Sequence, residues 1–372
     1  MQEVEQPDVQ LEPFFYAMRK IIACAALFVS TFAVMTAQEL NLGVHSRLEA
    51  NKPWSSESST LSNNRINWGN SGLFMTADGS FSDKLSFDSS FSLLTSDPAW
   101  LYQNTLGCSD CGWINWLNLL YTPNDRLSFG VGKQIMFAGG WENDPYDFEQ
   151  HLDLCSQDWQ GNNVYQWGGS VVYAPDEDHS YGFQITTSPF RESLLVGNGT
   201  AASFQGRHSS GIWAGILSIN YLQAYLDEAP ALGMITLGNK LEDDNYQAWV
   251  DVTLKNALGC DLNGMNTSVT ASYLHRFCDG SLELGAKGGY ETISPKCPDF
   301  FGYSSAWSLE EDGVAGIVPL GISPDKDYTF GGLFFHYYPM EDLRIHAALA
   351  VNNYTKAVSA TFGVLYSFYI NH

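Results

Sequence analysis

The chain has 372 residues, with 41 Asp and Glu against 18 Lys and Arg, a formal net charge of -23 and a pI near 4.5. That balance excludes nucleic acid as a natural partner, because phosphate binding needs basic patches. Aromatic residues make up 14% while mean hydropathy is only -0.14, and past the N-terminal region no apolar run approaches the roughly 20 residues of a membrane helix.

Residues 18–37 read MRKIIACAALFVSTFAVMTA. A basic start (Arg19, Lys20), an apolar stretch and a small-residue exit predict a secretory signal peptide cleaved after Ala37. The acidic stretch before Met18 suits no export signal, so translation is expected to start at Met18. The lipoprotein-like box IIAC at 21–24 is rejected, because most of the apolar run follows Cys24 instead of preceding it.

From residue 65 onward the dominant signal is alternation, the period-2 mark of half-buried strands. Leu85, Phe87, Phe91 and Leu93 oppose Ser86, Asp88, Ser90 and Ser92. Leu127, Phe129, Val131, Ile135 and Phe137 oppose Ser128, Gly130, Gly132 and Gln134. Ala248, Val250, Val252 and Leu254 oppose Asp251, Thr253 and Lys255. Leu282, Leu284, Ala286 and Tyr290 oppose Glu283, Lys287 and Glu291. Leu343, Ile345, Ala347, Leu349 and Val351 oppose Arg344 and His346, and the last run sets Phe362, Val364, Tyr366, Phe368 and Ile370 on one face. Strands are predicted near 39–47, 70–79, 84–96, 112–122, 126–137, 146–157, 164–174, 180–189, 210–221, 232–240, 246–255, 267–277, 281–292, 328–338, 343–352 and 357–370.

Short turns at 80–83, 123–125, 278–280 and 340–342 are interspersed with long segments such as 48–69, 97–111 and 294–327. Short turns at one end and long loops at the other are the layout of a transmembrane β-barrel. The predicted fold class is therefore all-β: an antiparallel membrane barrel of about 16 strands, with 14 to 18 allowed. The segment 190–209 is too long for a turn at the short end, so a hairpin is expected to be missing from the prediction there. The barrel is read as one domain, residues 38–372. A soluble β-sandwich or propeller also alternates, but a propeller shows a blade repeat and none is legible here. Charge, glycine and serine share the minority face, which costs little if that face lines water. Aromatics near predicted strand ends (Trp113, Trp116 and Tyr121; Tyr165 and Trp167; Tyr337 and Tyr338) suit interfacial girdles.

The alternation stops at Gly139-Gly140, and the acidic, aromatic stretch GGWENDPYD follows. Glycine there permits backbone angles that other residues resist. One reading is a constriction loop folded into the lumen, with Glu142, Asp144 and Asp147 near the permeation path. The other is an ordinary surface loop with a solvated acidic cluster.

VGKQIMFAGGWENDPYD, residues 131–147, resembles the "GKQ…GGWE.D" segment of Bacteroidetes outer-membrane porins grouped with the phosphate-selective porin O/P-like family. The resemblance implies a barrel of about 16 strands that passes small hydrophilic solutes passively. It implies outer-membrane lipid and lipopolysaccharide, the barrel-assembly machinery and small solutes as partners. General porins are often trimers, so a homotrimer is an assembly it allows, although no packing face is legible. Anion-selective pores of that family place arginine and lysine in the eyelet, and this chain is poor in both, so phosphate selectivity is not carried over. The lumen-parity charges Asp251, Lys255, Arg276, Glu283, Lys287, Glu291 and Arg344 are the pore-lining candidates. Facing charges of both signs create a transverse field that screens solutes, or else they form a salt-bridge network that stiffens the wall.

Three other functions stay open: a plugged transporter for hydrophobic compounds, a structural or adhesive barrel, and a barrel lipid hydrolase. The last would use His208 with Ser210, which shares its face while Ser209 points to the other, but no orienting Asp or Asn is evident. No catalytic, cofactor or metal site is expected. CSDC at 108–111 is a lone CxxC without a second pair, and the six cysteines beyond the signal segment, Cys108, Cys111, Cys155, Cys260, Cys278 and Cys297, suit disulfides in an exported protein. DEDH at 176–179 and SLEEDG at 308–313 are read as outer loops able to hold divalent cations bridging lipopolysaccharide, or as solvated loops.

Overall fold

A computed structural model describes residues 39–55, 71–95, 114–145, 149–156, 158–159, 164–189, 199–223, 231–257, 265–292, 327–353 and 357–371. Sixteen strands close into one antiparallel barrel, each paired with its sequence neighbours, and β1 meets β16 to complete the ring. They are β1 (Glu39–Ser55), β2 (Gly72–Ser82), β3 (Leu85–Thr95), β4 (Ile114–Asn124), β5 (Leu127–Ile135), β6 (Tyr165–Tyr173), β7 (His179–Thr187), β8 (Thr200–Ser210), β9 (Trp213–Leu222), β10 (Leu232–Asp243), β11 (Tyr246–Ala257), β12 (Asn266–Phe277), β13 (Leu282–Glu291), β14 (Tyr328–Met340), β15 (Leu343–Asn352) and β16 (Ala357–Asn371). Closure removes the sheet edges that an open sheet of this size would leave unpaired.

The expected number of strands is met, yet two assignments change. The described residues of 146–157, residues 149–156, form no strand: Leu152–Leu154 is a single 3-10 turn inside the barrel. The missing hairpin element is β8, paired with β7 and with β9 through the tight Gly211-Ile212 turn. The two errors cancel in the total but invert the up-down order between them. DEDH at 176–179 therefore does not lie in an outer loop. It belongs to the β6–β7 connection, at the same end as the start of β1, the end of β16 and the short β2–β3, β4–β5, β8–β9, β10–β11, β12–β13 and β14–β15 turns. SLEEDG at 308–313, the cysteines Cys108, Cys111, Cys260 and Cys297, Trp113 and the N-terminal segment 1–37 lie outside the described residues. Cys278 is a free thiol, and the Cys155 sulfur lies 3.8 Å from the Lys287 ammonium.

Outward and inward faces differ in kind. Leu48, Val131, Leu333 and Phe362 are 59%, 59%, 62% and 60% exposed, an apolar surface far beyond what a water-soluble monomer presents. The inward positions of β1 and β13–β15 hold Arg47, Glu49, Lys287, His336, Arg344 and His346, all buried. Water-facing apolar and dry charged positions would invert the usual partition, whereas lipid outside and a polar interior satisfy both faces. Leu333→Arg, near the middle of β14, is expected to cost about 2–4 kcal/mol. The check is the fraction refolded into vesicles across a urea series, with Gly332, on the opposite face, left unchanged.

Candidate functional site

The connection between β5 and β6 does not stay at the rim. Gly139 takes φ +74°, a left-handed angle that glycine adopts without strain. A Cβ on Gly140 would collide with the Asp251 carboxylate, so the second glycine lets the chain pass against β11. Ser218 of β9 donates to the Gly139 carbonyl at 2.9 Å. The chain then forms a 3-10 turn over Trp141–Asn143 with Trp141 and Glu142 buried.

Glu142 is the hub. Its carboxylate meets the Lys287 ammonium of β13 at 2.9 Å, with both side chains under 10% exposed, and accepts from the Ser156 amide at 2.9 Å. Its own amide donates to Asp251 at 2.9 Å, and its carbonyl accepts from Gln150 at 2.9 Å. The loop is thus tied to itself and to the wall through one residue. Beyond it, the Arg344 guanidinium donates to the Glu149 carbonyl (3.2 Å) and that of Arg47 to the Gln150 carbonyl (2.9 Å). Leu154 packs on Ala348, Ala350 and Phe334. Asp153 accepts from Asn51, Ser359 and Thr361, although burial holds its carboxyl above the ordinary range. Lys255 pairs with Asp158.

Of the residues singled out from the sequence, Asp251, Lys255, Lys287 and Arg344 come together as anchors of this loop. Arg276 and Glu283 sit lower on the wall: Arg276 donates to Glu242 at 3.0 Å and lies 3.5 Å from Glu283, which accepts from Tyr338 at 3.2 Å. Glu291 is buried beside Ser268, 3.3 Å away. Asp144 pairs with Arg207 at 2.7 Å, and Asp147 lies outside the described residues. The Lys240 ammonium lies 4.4 Å and the Arg207 guanidinium 5.6 Å from the centre of the Trp141 ring.

Arg47, Glu49, Arg207, Lys240, His336 and His346 join this network without having been singled out. For β1 the signal was present: His45, Arg47, Glu49 and Asn51 alternate with Val44, Leu48 and Ala50, and the run continues past residue 47, where the predicted strand stops.

Charge is segregated around the ring. Among the described residues, the lumen-facing positions of β2–β7 carry two charged side chains, Asp78 and Asp88, directly opposite each other on β2 and β3. The rest of that wall is chiefly serine, glycine and amides. Lys133 of β5 takes the other parity and donates to the Ile114 carbonyl at 2.7 Å. The bases facing the lumen are on β8–β15 and β1.

Neither a family model nor a curated protein matches the sequence. Solved structures do match. The outer-membrane protein OmpT of Vibrio cholerae, in its trimer form, gives a TM-score of 0.52 at 12% identity over 88% of this chain and 99% of that one. A Rh. blastica porin mutant gives 0.54 at 12% over 88% and 100%. The outer-membrane channel DcaP of Acinetobacter baumannii gives 0.53 at 11% over 88% and 97%. The fold is that of the sixteen-stranded outer-membrane porins. At these identities the likeness is one of architecture, and what passes through the barrel has to be read from its own residues.

Proposed function

We propose that the protein is an outer-membrane porin, a passive channel for small hydrophilic solutes, narrowed by the β5–β6 loop. The observation that carries the reading is the inward course of that loop, fixed to β1, β8, β9, β11 and β13–β16 by hydrogen bonds and ion pairs, those to β1, β11, β13 and β14 buried. A loop held so firmly against one side of a polar lumen narrows it and leaves the β2–β6 side for solute. The resemblance of residues 131–147 to Bacteroidetes porins supports the same reading. Its phosphate preference does not follow, because the basic side chains of this lumen are engaged with loop groups or wall carboxylates.

The charges left on the β2–β3 side are acidic. Asp78 is exposed and accepts from Asn41 at 2.9 Å; Asp88 stands opposite. Like charges directly across a strand pair are destabilising, and a cation-rich path offsets that cost. Solute cations are therefore preferred over anions. Planar-bilayer recording of refolded residues 38–372 in asymmetric KCl tests both levels. Steady current steps support the channel; their absence favours a plugged or structural barrel. A cation-signed reversal potential that moves toward zero in Asp78→Asn/Asp88→Asn supports the path, and an unchanged potential removes it. Assembly as a homotrimer extends the reading, by likeness to the trimeric OmpT form.

A further inference from the structure

The part of the loop that crosses to the far wall ends in a knot of imidazoles. His151, in the loop, stacks on His336 of β14 with ring centroids 5.2 Å apart, and its edge meets His346 of β15 at 5.5 Å. The Nε2 atoms of His151 and His336 are 2.9 Å apart. His336 Nδ1 lies 2.9 Å from the Glu283 carboxylate, so Nδ1 carries a hydrogen and donates to it. Neutral His336 then offers Nε2 as acceptor, and His151 must donate from Nε2. His151 Nδ1 is left as a bare lone pair, and it meets no hydrogen-bonding partner among the described residues.

The surrounding charges decide what a proton would do here. Arg47 and Arg344 face the cluster from β1 and β15, Glu49 from β1 and Glu283 from β13. Glu49 serves both Arg47 and His346, the latter at 3.2 Å, and Glu283 is shared with Arg276 and Tyr338. The groups that act on His151 directly, His336, Arg47, His346 and Arg344, all disfavour an added imidazolium, and the Asp153 carboxylate of the same turn is engaged with Asn51, Ser359 and Thr361. Once both His151 and His336 are protonated, two N–H donors would point at each other across 2.9 Å.

We infer that the His151–His336–His346 contact is an acid-released latch: protonation frees residues 149–156 of the constriction loop from the β1/β14/β15 wall. The sign follows from the docked state. Burial, then His336, Arg47, His346 and Arg344, hold the His151 imidazole well below its ordinary range. A docked group with a lowered pKa binds fewer protons than the freed one. Docking is therefore complete above the free imidazole pKa of about 6.5 and weakens by up to tenfold for each pH unit below it, per proton taken up.

The test is amide exchange on the full-length barrel in detergent, corrected for the intrinsic pH dependence of exchange, at about pH 7.5 and about pH 5. The reporters are the amides of Leu154, which donates to the His151 carbonyl at 2.8 Å, and Ser156, which donates to Glu142. Their protection is expected to fall at least tenfold at the acid pH while the strand amides of β10 and β11 hold. In His151→Gln, whose neutral amide still donates to His336, that fall should be abolished. Equal protection at both pH values overturns the latch, as does an undiminished acid loss in His151→Gln. Exchange is read without current, so the latch stands or falls independently of whether the barrel conducts.

Discussion

Replacing residues 139–158 by a short glycine-serine turn raises the single-channel conductance several-fold and leaves the barrel folded. The loop occupies the lumen through Trp141, Glu142, Gln150, His151 and Leu154, all buried against the wall, so removing it replaces packed side chains by water. The barrel does not depend on it for closure. β5 pairs with β6 from Leu127↔Tyr173 to Ile135↔Tyr165, and Met136 donates to the Val164 carbonyl at 2.8 Å beyond that, so the hairpin can be closed where the loop is cut. The wall left behind carries Lys255, Lys287, Arg47 and Arg344 without their loop partners. The enlarged pore should consequently lose cation preference as it gains current. Planar-bilayer recording in symmetric and then asymmetric KCl reads both. An unchanged conductance would mean that solute does not pass beside this loop.

The second large effect is at Lys287. Lys287→Met leaves the Glu142 carboxylate buried without its cation, and removing one partner of a buried pair costs about 3–5 kcal/mol. Here the loop escapes that cost by undocking, so the loss appears as loop release and not as unfolding of the barrel. Protection of the Ser156 amide should collapse and the open-channel current should become noisy. Glu142→Gln/Lys287→Met removes both charges, keeps a side-chain carbonyl for the Ser156 amide, and should recover most of the protection. A double mutant no better than Lys287→Met would mean that the pair contributes nothing to docking, and that Asp251 and the backbone contacts hold the loop alone.

Much of the barrel was legible because alternation is a local property. Val131, Leu333 and Phe362 declare an outward face from their immediate neighbours alone, and the structure exposes all three. The two misassigned segments failed for opposite reasons. YDFEQHLDLCSQ, residues 146–157, offers apolar Leu152 and Leu154, but these serve a 3-10 turn whose Leu154 packs into the lumen. β8, TAASFQGRHSS, puts small residues on both faces, so the contrast that marks a strand is faint.

For the candidate site, residue type and parity picked out Asp251, Lys255, Lys287 and Arg344, but not what they touch. Lys287 meets Glu142, and Arg47 and Arg344 hold carbonyls a hundred or more positions away in the chain.

The sequence by itself determined that this chain is a barrel with an apolar outside, a charged inside and short turns at one end, because each of those depends on residues within a few positions of one another. Only the tertiary structure decided that the β5–β6 loop turns inward, which basic residues it engages, and that the acidic pair stands on the other side. Closing the ring brings β1, β14 and β15 around one loop, and the energy of burying a charge depends on the partner that arrives there, which no local pattern records.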